Sequence, residues 1–325
     1  MLPGMRHLLG ASAVLSLLCF GCGNGAGGGG GGGDDQPMID GGGTPDVAVP
    51  AGYTRLIGRS WTLSAGQTDI YRCVRLTIPT DTYITNIIAQ APAGTHHTVL
   101  SIAGANGTSG PDGEQDCGVG TLGMVMLYAS GVGTDPLDFP ADVGIKVAAG
   151  TQIHLNLHLF NATDSQMSGD SAILVKTSPT PPATLAEMVF AGTFLLRIPS
   201  DNQPHSFSYS CTAQQPYTLF ALWPHMHQIA IHQKVEWTHG TTTTAIHDKA
   251  FTFSEQSYYP QTPTIQVAQG DKIKVTCTYK NNTGQEVTFG DSSNKEMCFS
   301  GLYRYPAQNA GLFQCTEFPN GAPGL

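Results

Sequence analysis

The 325-residue sequence predicts an all-β protein built as two consecutive antiparallel β-sandwich, jelly-roll-like domains. Three observations lead there. Charged residues make up only 12%, while 40 glycines and 21 prolines punctuate the chain. Short runs of alternating apolar and polar residues recur roughly every ten residues, the spacing of strands and turns in an all-β domain. No stretch carries the 3.6-residue apolar period of a helix.

In chain order, the first set of strands falls at residues 71–78, 83–90, 97–103, 153–160 and 172–176. The run Ser178-Pro179-Thr180-Pro181-Pro182 then interrupts the pattern. Consecutive prolines cannot join a central strand, so the boundary belongs here. A second set follows at 188–198, 206–211, 219–237, 265–267, 272–280 and 302–305. The expected domains are residues 51–180 and 183–320, and they share no obvious sequence repeat.

The N-terminus is of another kind. Arg6 precedes an apolar run over residues 8–20, too short to span a bilayer as a helix. It fits a signal peptide. Gly21 supplies the small residue that lipoprotein processing needs before Cys22, although Cys19 stands where a leucine is usual. Residues 1–22 are therefore expected to be a signal peptide and lipobox, with a lipid anchor on Cys22. Residues 23–50, with their glycine run, form a flexible linker. The expected place is outside the cytoplasm, periplasmic or at the cell surface, with the membrane touched only through that anchor. A formal charge of −9 argues against nucleic acid, whose phosphates need a basic surface.

Six further cysteines remain: Cys73, Cys117, Cys211, Cys277, Cys298 and Cys315. An even number in an exported protein suggests three disulfides, whose connectivity the count leaves open. None forms a Cys-x-x-Cys pair, so neither a zinc knuckle nor a redox motif is indicated.

The chemistry lies in histidine and methionine. His225 and His227 stand at i and i+2, on the same face of a strand, so both imidazoles can reach one ion. His96 and His97 are adjacent, and an ideal strand points neighbours to opposite faces. Both reach one ion only at a strand end or bulge, which Gly94 and Thr95 can mark. Either His154 or His158 can supply a third nitrogen, because they share parity. Met297 offers a thioether beside Cys298, and imidazole with soft sulfur suits a metal that visits Cu(I). Ordinary strand histidines and a core methionine are the plain reading of each fragment taken alone.

Taken together, the fragments resemble the copper type II, ascorbate-dependent monooxygenases. The resemblance covers residues 55–318. It rests on Tyr71-Arg72-Cys73 continuing to Leu76-Thr77-Ile78-Pro79, then His96-His97, then Leu155-Asn156-Leu157-His158. Pro224-His225-Met226-His227 and Ser292-Ser293 through Glu296-Met297-Cys298 follow, the last with one extra residue. The resemblance implies two copper ions. His96, His97 and His158 would hold an electron-transfer copper, and His154 becomes an ordinary strand histidine. His225, His227 and Met297 would hold the oxygen-activating, catalytic copper. It also implies the pairs Cys73–Cys117, Cys211–Cys315 and Cys277–Cys298, while two bridges of the animal enzymes have no counterpart here.

The implied reaction inserts one atom of O2 into a substrate C–H bond and releases the other as water. It consumes two protons and two electrons from ascorbate or another one-electron donor. The peptide-amidating members hold a substrate carboxylate with an Arg two residues before His-x-His and with a Tyr after Met-Cys. Here those positions are Trp223 and Gly301. Trp223, with Tyr258 and Tyr259, points to a small apolar or aromatic substrate, unless these rings are plain core. The expected protein is a monomer acting on a small molecule and O2. The alternatives are a non-catalytic copper-binding surface lipoprotein and an interaction module with idle histidines.

Overall fold

Alternation decides which face each strand buries, and the strand Gln152–Leu159 shows how. Ile153, Leu155, Leu157 and Leu159 are fully buried in a core. His154, Asn156 and His158 point the other way, yet they are buried too. A sheet covered on both faces by different partners explains both observations.

The computed structural model describes residues 49–103, 109–118, 123–131, 133–253 and 256–318. The expected signal peptide, the Cys22 anchor and nearly all of the linker lie outside the described residues. These described residues fall in one compact unit. Among the described residues every regular element is a strand. No helix among them is long and apolar enough to cross a membrane.

In chain order the first eleven strands are β1 (Thr54–Leu63), β2 (Ile70–Thr77), β3 (Thr82–Gln90), β4 (Thr95–Ile102), β5 (Gly113–Asp116), β6 (Val125–Ser130), β7 (Leu137–Asp138), β8 (Val143–Val147), β9 (Gln152–Leu159), β10 (Met167–Ser178) and β11 (Thr184–Leu185). The rest are β12 (Glu187–Thr193), β13 (Arg197–Ile198), β14 (Pro204–Thr212), β15 (Tyr217–His225), β16 (Ala230–His239), β17 (Thr242–Ala250), β18 (Tyr259–Val267), β19 (Lys272–Lys280), β20 (Val287–Thr288), β21 (Cys298–Tyr305) and β22 (Cys315–Glu317).

The first half forms two sheets, ordered β1-β10-β3-β8-β11 and β5-β2-β9-β4-β6. The second half forms β18-β15-β21-β12-β22 and β14-β19-β16-β17, with a short β13-β20 ribbon. The order β1-β10-β3-β8 thus returns as β12-β21-β15-β18, and β2-β9-β4-β6 as β14-β19-β16-β17. The halves share a topology that their residues do not advertise. β11 follows the proline run yet pairs in parallel with β8 of the first half.

Two apolar cores result. Val189, Leu222 and Leu302 face the core of the second half together with Val235, Ile273 and Val275. Their strand neighbours Phe190, Trp223, Phe299 and Tyr303 face the opposite way and join the core that contains Leu100, Leu155 and Leu157. The β15-β21-β12 sheet therefore offers one face to its own half and one to the other. The clasp includes polar groups. The Tyr258 hydroxyl donates to the Ala129 carbonyl at 2.6 Å and accepts from the Ala129 N–H at 3.0 Å. The Tyr303 hydroxyl donates to the Leu127 carbonyl at 3.0 Å.

Disulfides join Cys73 to Cys117, Cys211 to Cys315, and Cys277 to Cys298. These are the pairs that the resemblance implies.

Candidate metal centres

The register of β2, β9 and β4 sets one row of rings. Tyr71 pairs with His158 across β2 and β9, and His158 pairs with His97 across β9 and β4. The Tyr71 and His158 rings stack at 4.5 Å with planes 4° apart. A register shift between Thr95 and His97 breaks the β4–β9 alternation. That bulge brings the adjacent His96 and His97 to one side, as the sequence requires if both are to reach one ion. Gly94 makes the approach possible at φ +95°. A Cβ there would lie 2.5 Å from the Trp61 ring and 2.7 Å from the Met167 sulfur.

The nitrogens converge. His96 Nδ1 lies 3.3 Å from His97 Nδ1, which lies 3.3 Å from His158 Nδ1. One ligand atom from each of the three lies within 4.8 Å of the others. Metal–imidazole bonds of about 2.0–2.1 Å at tetrahedral angles put ligand nitrogens about 3.3 Å apart. The cluster therefore has the dimensions of a three-nitrogen metal site. The His158 Nε2–H donates to Asp69 Oδ1 at 2.8 Å, leaving Nδ1 as the acceptor that a metal needs. Burial, followed by the neighbouring imidazoles, pushes His97 well below its ordinary range. Burial also lowers His96 and His158, so all three favour the neutral, ligating form. His154 stands elsewhere. It sits four residues along β9, roughly 13 Å away, opposite Arg75 and Ser101.

His225 ends β15, and its ring lies 5.2 Å from the ring of His227. The His225 Nδ1–H donates to Gln256 Oε1 at 2.8 Å, and the Gln256 amide donates to the Phe253 carbonyl at 3.1 Å. The His227 Nδ1–H donates to the Lys295 carbonyl at 3.0 Å. These bonds leave over Nε2 of each ring for a ligand. Burial lowers His225 to about 3 and His227 to about 4. Met297 lines the same cavity as both histidines. The Cys277–Cys298 bridge and the Tyr279 hydroxyl, which donates to the Met297 carbonyl at 2.6 Å, fix its backbone.

Glu296 ties the ligand segments together. It is fully buried, and its carboxylate accepts the N–H groups of His227 at 2.8 Å and Ile229 at 2.9 Å. Burial pushes its carboxyl up to about 7 against these donors.

Both sets reach one cavity of about 910 Å³, part of it open to solvent, the first through His97 and the second through His225, His227 and Met297. His97, Val99, Met126 and Asn156 form one wall, and Phe190, Trp223, His225, His227, Met297 and Phe313 form the other. Phe253 stands between the sets, its ring 5.3 Å from that of His96 and 5.9 Å from that of His227.

Residues 183–319 match the model of the copper type II ascorbate-dependent monooxygenase C-terminal domain. The mouse (Mus musculus) peptidyl-glycine alpha-amidating monooxygenase is 25% identical over 276 residues, covering 80% of this chain. Over these residues the chain is similar to the copper type II ascorbate-dependent monooxygenases. It spans 27% of the length of that mouse relative. Among solved structures, the major capsid protein P2 of bacteriophage PM2 covers 76% of this chain and 96% of its own at TM-score 0.32 and 9% identity. An infectious bursal disease virus structure (Gt strain) covers 80% of this chain and 79% of its own at TM-score 0.20 and 13% identity. Neither likeness carries an argument.

The three aromatic residues singled out from sequence separate. Trp223 lines the cavity and stacks on His225 at 4.8 Å. Tyr258 belongs to the clasp between the halves. Tyr259 packs against His247 on another surface. Trp223 and Gly301, the two departures from the peptide-amidating pattern, turn out to be cross-strand partners. A Cβ on Gly301 would meet the Trp223 side chain at 3.4 Å, so the small residue accommodates the indole. Asp69, Phe253 and Gln256 were missed from sequence. None left a local trace; Asp69 lies just before β2 with φ 58°, outside the strand alternation that places Tyr71.

Proposed function

We propose that this protein is a copper-dependent monooxygenase that hydroxylates a C–H bond of a small apolar or aromatic substrate. O2 is the oxidant, and ascorbate or another one-electron donor supplies the electrons. We further propose that it works as a monomer outside the cytoplasm, held through Cys22. The observation that carries the reading is one cavity reached by His97 of the first set and by His225, His227 and Met297 of the second. Copper held there would supply the one-electron chemistry that activates O2.

The chain's own residues have definable tasks. His96, His97 and His158 present three Nδ1 atoms at coordination spacing, with Asp69 fixing the tautomer of His158. Gln256 and the Lys295 carbonyl orient His225 and His227. Trp223 covers the face of His225 and keeps water from it. Phe190, Phe299, Leu312 and Phe313 give the cavity an apolar wall. An indole where the amidating members carry an arginine removes the cation that would hold a carboxylate.

The test is ascorbate-dependent O2 uptake by the copper-loaded protein, with hydroxylated products followed by mass across a panel of apolar and aromatic compounds. His225→Ala should abolish both uptake and product. Uptake unchanged in that variant would sink the reading. Copper bound without turnover would leave a copper-binding lipoprotein.

A further inference from the structure

The two halves match residue by residue in hydrogen-bond register. In β4 and β9, Thr95 pairs with Leu159, the register shifts, and His97 pairs with His158. In β16 and β19, Ala230 pairs with Tyr279, the register shifts, and His232 pairs with Thr278. On the other side, Tyr71 opposite His158 becomes Ser206 opposite Thr278.

The flanking turns agree. Gly150 N–H donates to the Ile78 carbonyl at 2.8 Å and Ile78 N–H to the Thr151 carbonyl at 2.9 Å. Their counterparts are Gly270 to Ala213 at 2.9 Å and Ala213 to Asp271 at 2.8 Å. After the strand, the Asn161 amide donates to the carbonyls of Ser64 and Ser165, and its oxygen accepts from Thr163. Asn281 does the same with Ile198, Gln285 and Thr283. Between these turns the strands run without insertion, so Ile231 stands where His96 does and Thr278 where His158 does.

The correspondence also runs in reverse. His225 pairs with Phe299 as Gln90 pairs with Ala172. The same count places Asp170 where Met297 is. Gln90 donates to Asp170 at 3.0 Å, so these positions are neighbours in the first half. Each half thus carries one ligand set and, except at His232, has other side chains at the positions of its partner's set.

His232 is the residue that both halves keep. Its Nε2 lies 2.9 Å from Asp248 Oδ1, as the Nε2 of His158 lies 2.8 Å from Asp69 Oδ1. Its Nδ1 is left over by that bond. We propose that Ile231, His232 and Thr278 form a latent metal site, the second-half counterpart of His96, His97 and His158, two imidazoles short of binding a transition-metal ion. The bulge is what makes it specific, since without it residues 231 and 232 would face opposite ways. Ile231 is 38% exposed, and Thr278 spends its hydroxyl on Ser206 at 2.8 Å, so neither substitution opens a core.

The test is zinc uptake by the full chain carrying I231H and T278H. The variant should retain one more zinc ion per chain than the parent after gel filtration. It should also bind that ion at least about tenfold more tightly than T278H alone, since losing even an outer-shell partner costs 10–100-fold. No additional zinc in a folded double variant overturns the proposal, and so does an I231H change that adds nothing to T278H. If the double variant fails to fold, T278H alone decides. Its zinc binding should be weak and should vanish in H232A/T278H, and persistence there overturns the proposal.

Discussion

Glu296 is a carboxylate with no exposed surface, held by backbone N–H groups from the segment that carries His227. Glu296→Ala leaves those donors buried without partners, which costs about 1–3 kcal/mol for each. Denaturant unfolding should show that loss, and Glu296→Gln, which keeps one acceptor oxygen, should lose less. His154 offers a pH test away from the proposed metal ligands. Burial, with Arg75 adding to it, lowers its pKa to about 4. At pH 7 it is neutral whether the protein is folded or unfolded and contributes nothing. Below the ordinary histidine value of about 6.5 the unfolded chain takes up the proton first. His154 alone should contribute a fall of about 1.4 kcal/mol per pH unit, on top of that from the other buried histidines, until its folded form also protonates near pH 4. His154→Gln should reduce the slope by that share in urea titrations between pH 6.5 and 4, and an unchanged slope would place the acid sensitivity elsewhere. The six residues proposed as ligands stood out in the sequence because imidazole and thioether announce themselves by type. Asp69 and Gln256 were not, because a carboxylate or an amide gains its role only from the ring it meets.

At the scale of the element, the decisive irregularity is the bulge at Thr95–His97. Alternation alone forbids adjacent histidines from sharing an ion, and Gly94 with Thr95 marks the exception in the sequence. Gly94→Val places a branched side chain at positive φ against Trp61 and Met167. The strain should cost about 1–3 kcal/mol. Metal analysis should then show loss at the His96, His97 and His158 set, with the His225 and His227 set spared. Equal occupancy of both in the variant would remove the bulge from the account. Strands such as β9 and β19 were readable from alternation and β-branched content. The short strands β7, β11, β13 and β20 were not, since two residues carry no period. Phe253 was unreadable for another reason: its place between the ligand sets depends on how two sheets far apart in sequence close on each other.

For the whole molecule, the shared cavity depends on the clasp that Tyr258 and Tyr303 make with Ala129 and Leu127. Tyr258→Phe strands the Ala129 N–H, at a cost of about 1–3 kcal/mol, and Tyr303→Phe removes a neighbouring bond. The double variant should unfold at lower temperature in calorimetry and exchange the amides of residues 127–129 faster. A melting profile identical to the parent's would show that the clasp does not hold the halves. All-β architecture and paired sandwiches were legible from composition and punctuation. The repeat was not, because it survives in register and turn bonding while few side chains were kept. Those turns have a consequence for making the protein. Asn161-Ala-Thr163 and Asn281-Asn-Thr283 both spell the acceptor signal for N-linked glycans. In the folded chain both asparagine amides are buried and fully engaged. A eukaryotic secretory host that attaches sugar during synthesis would therefore set glycosylation against folding at two equivalent corners, and Asn→Asp changes made to avoid the sugar would remove the donors that close both turns.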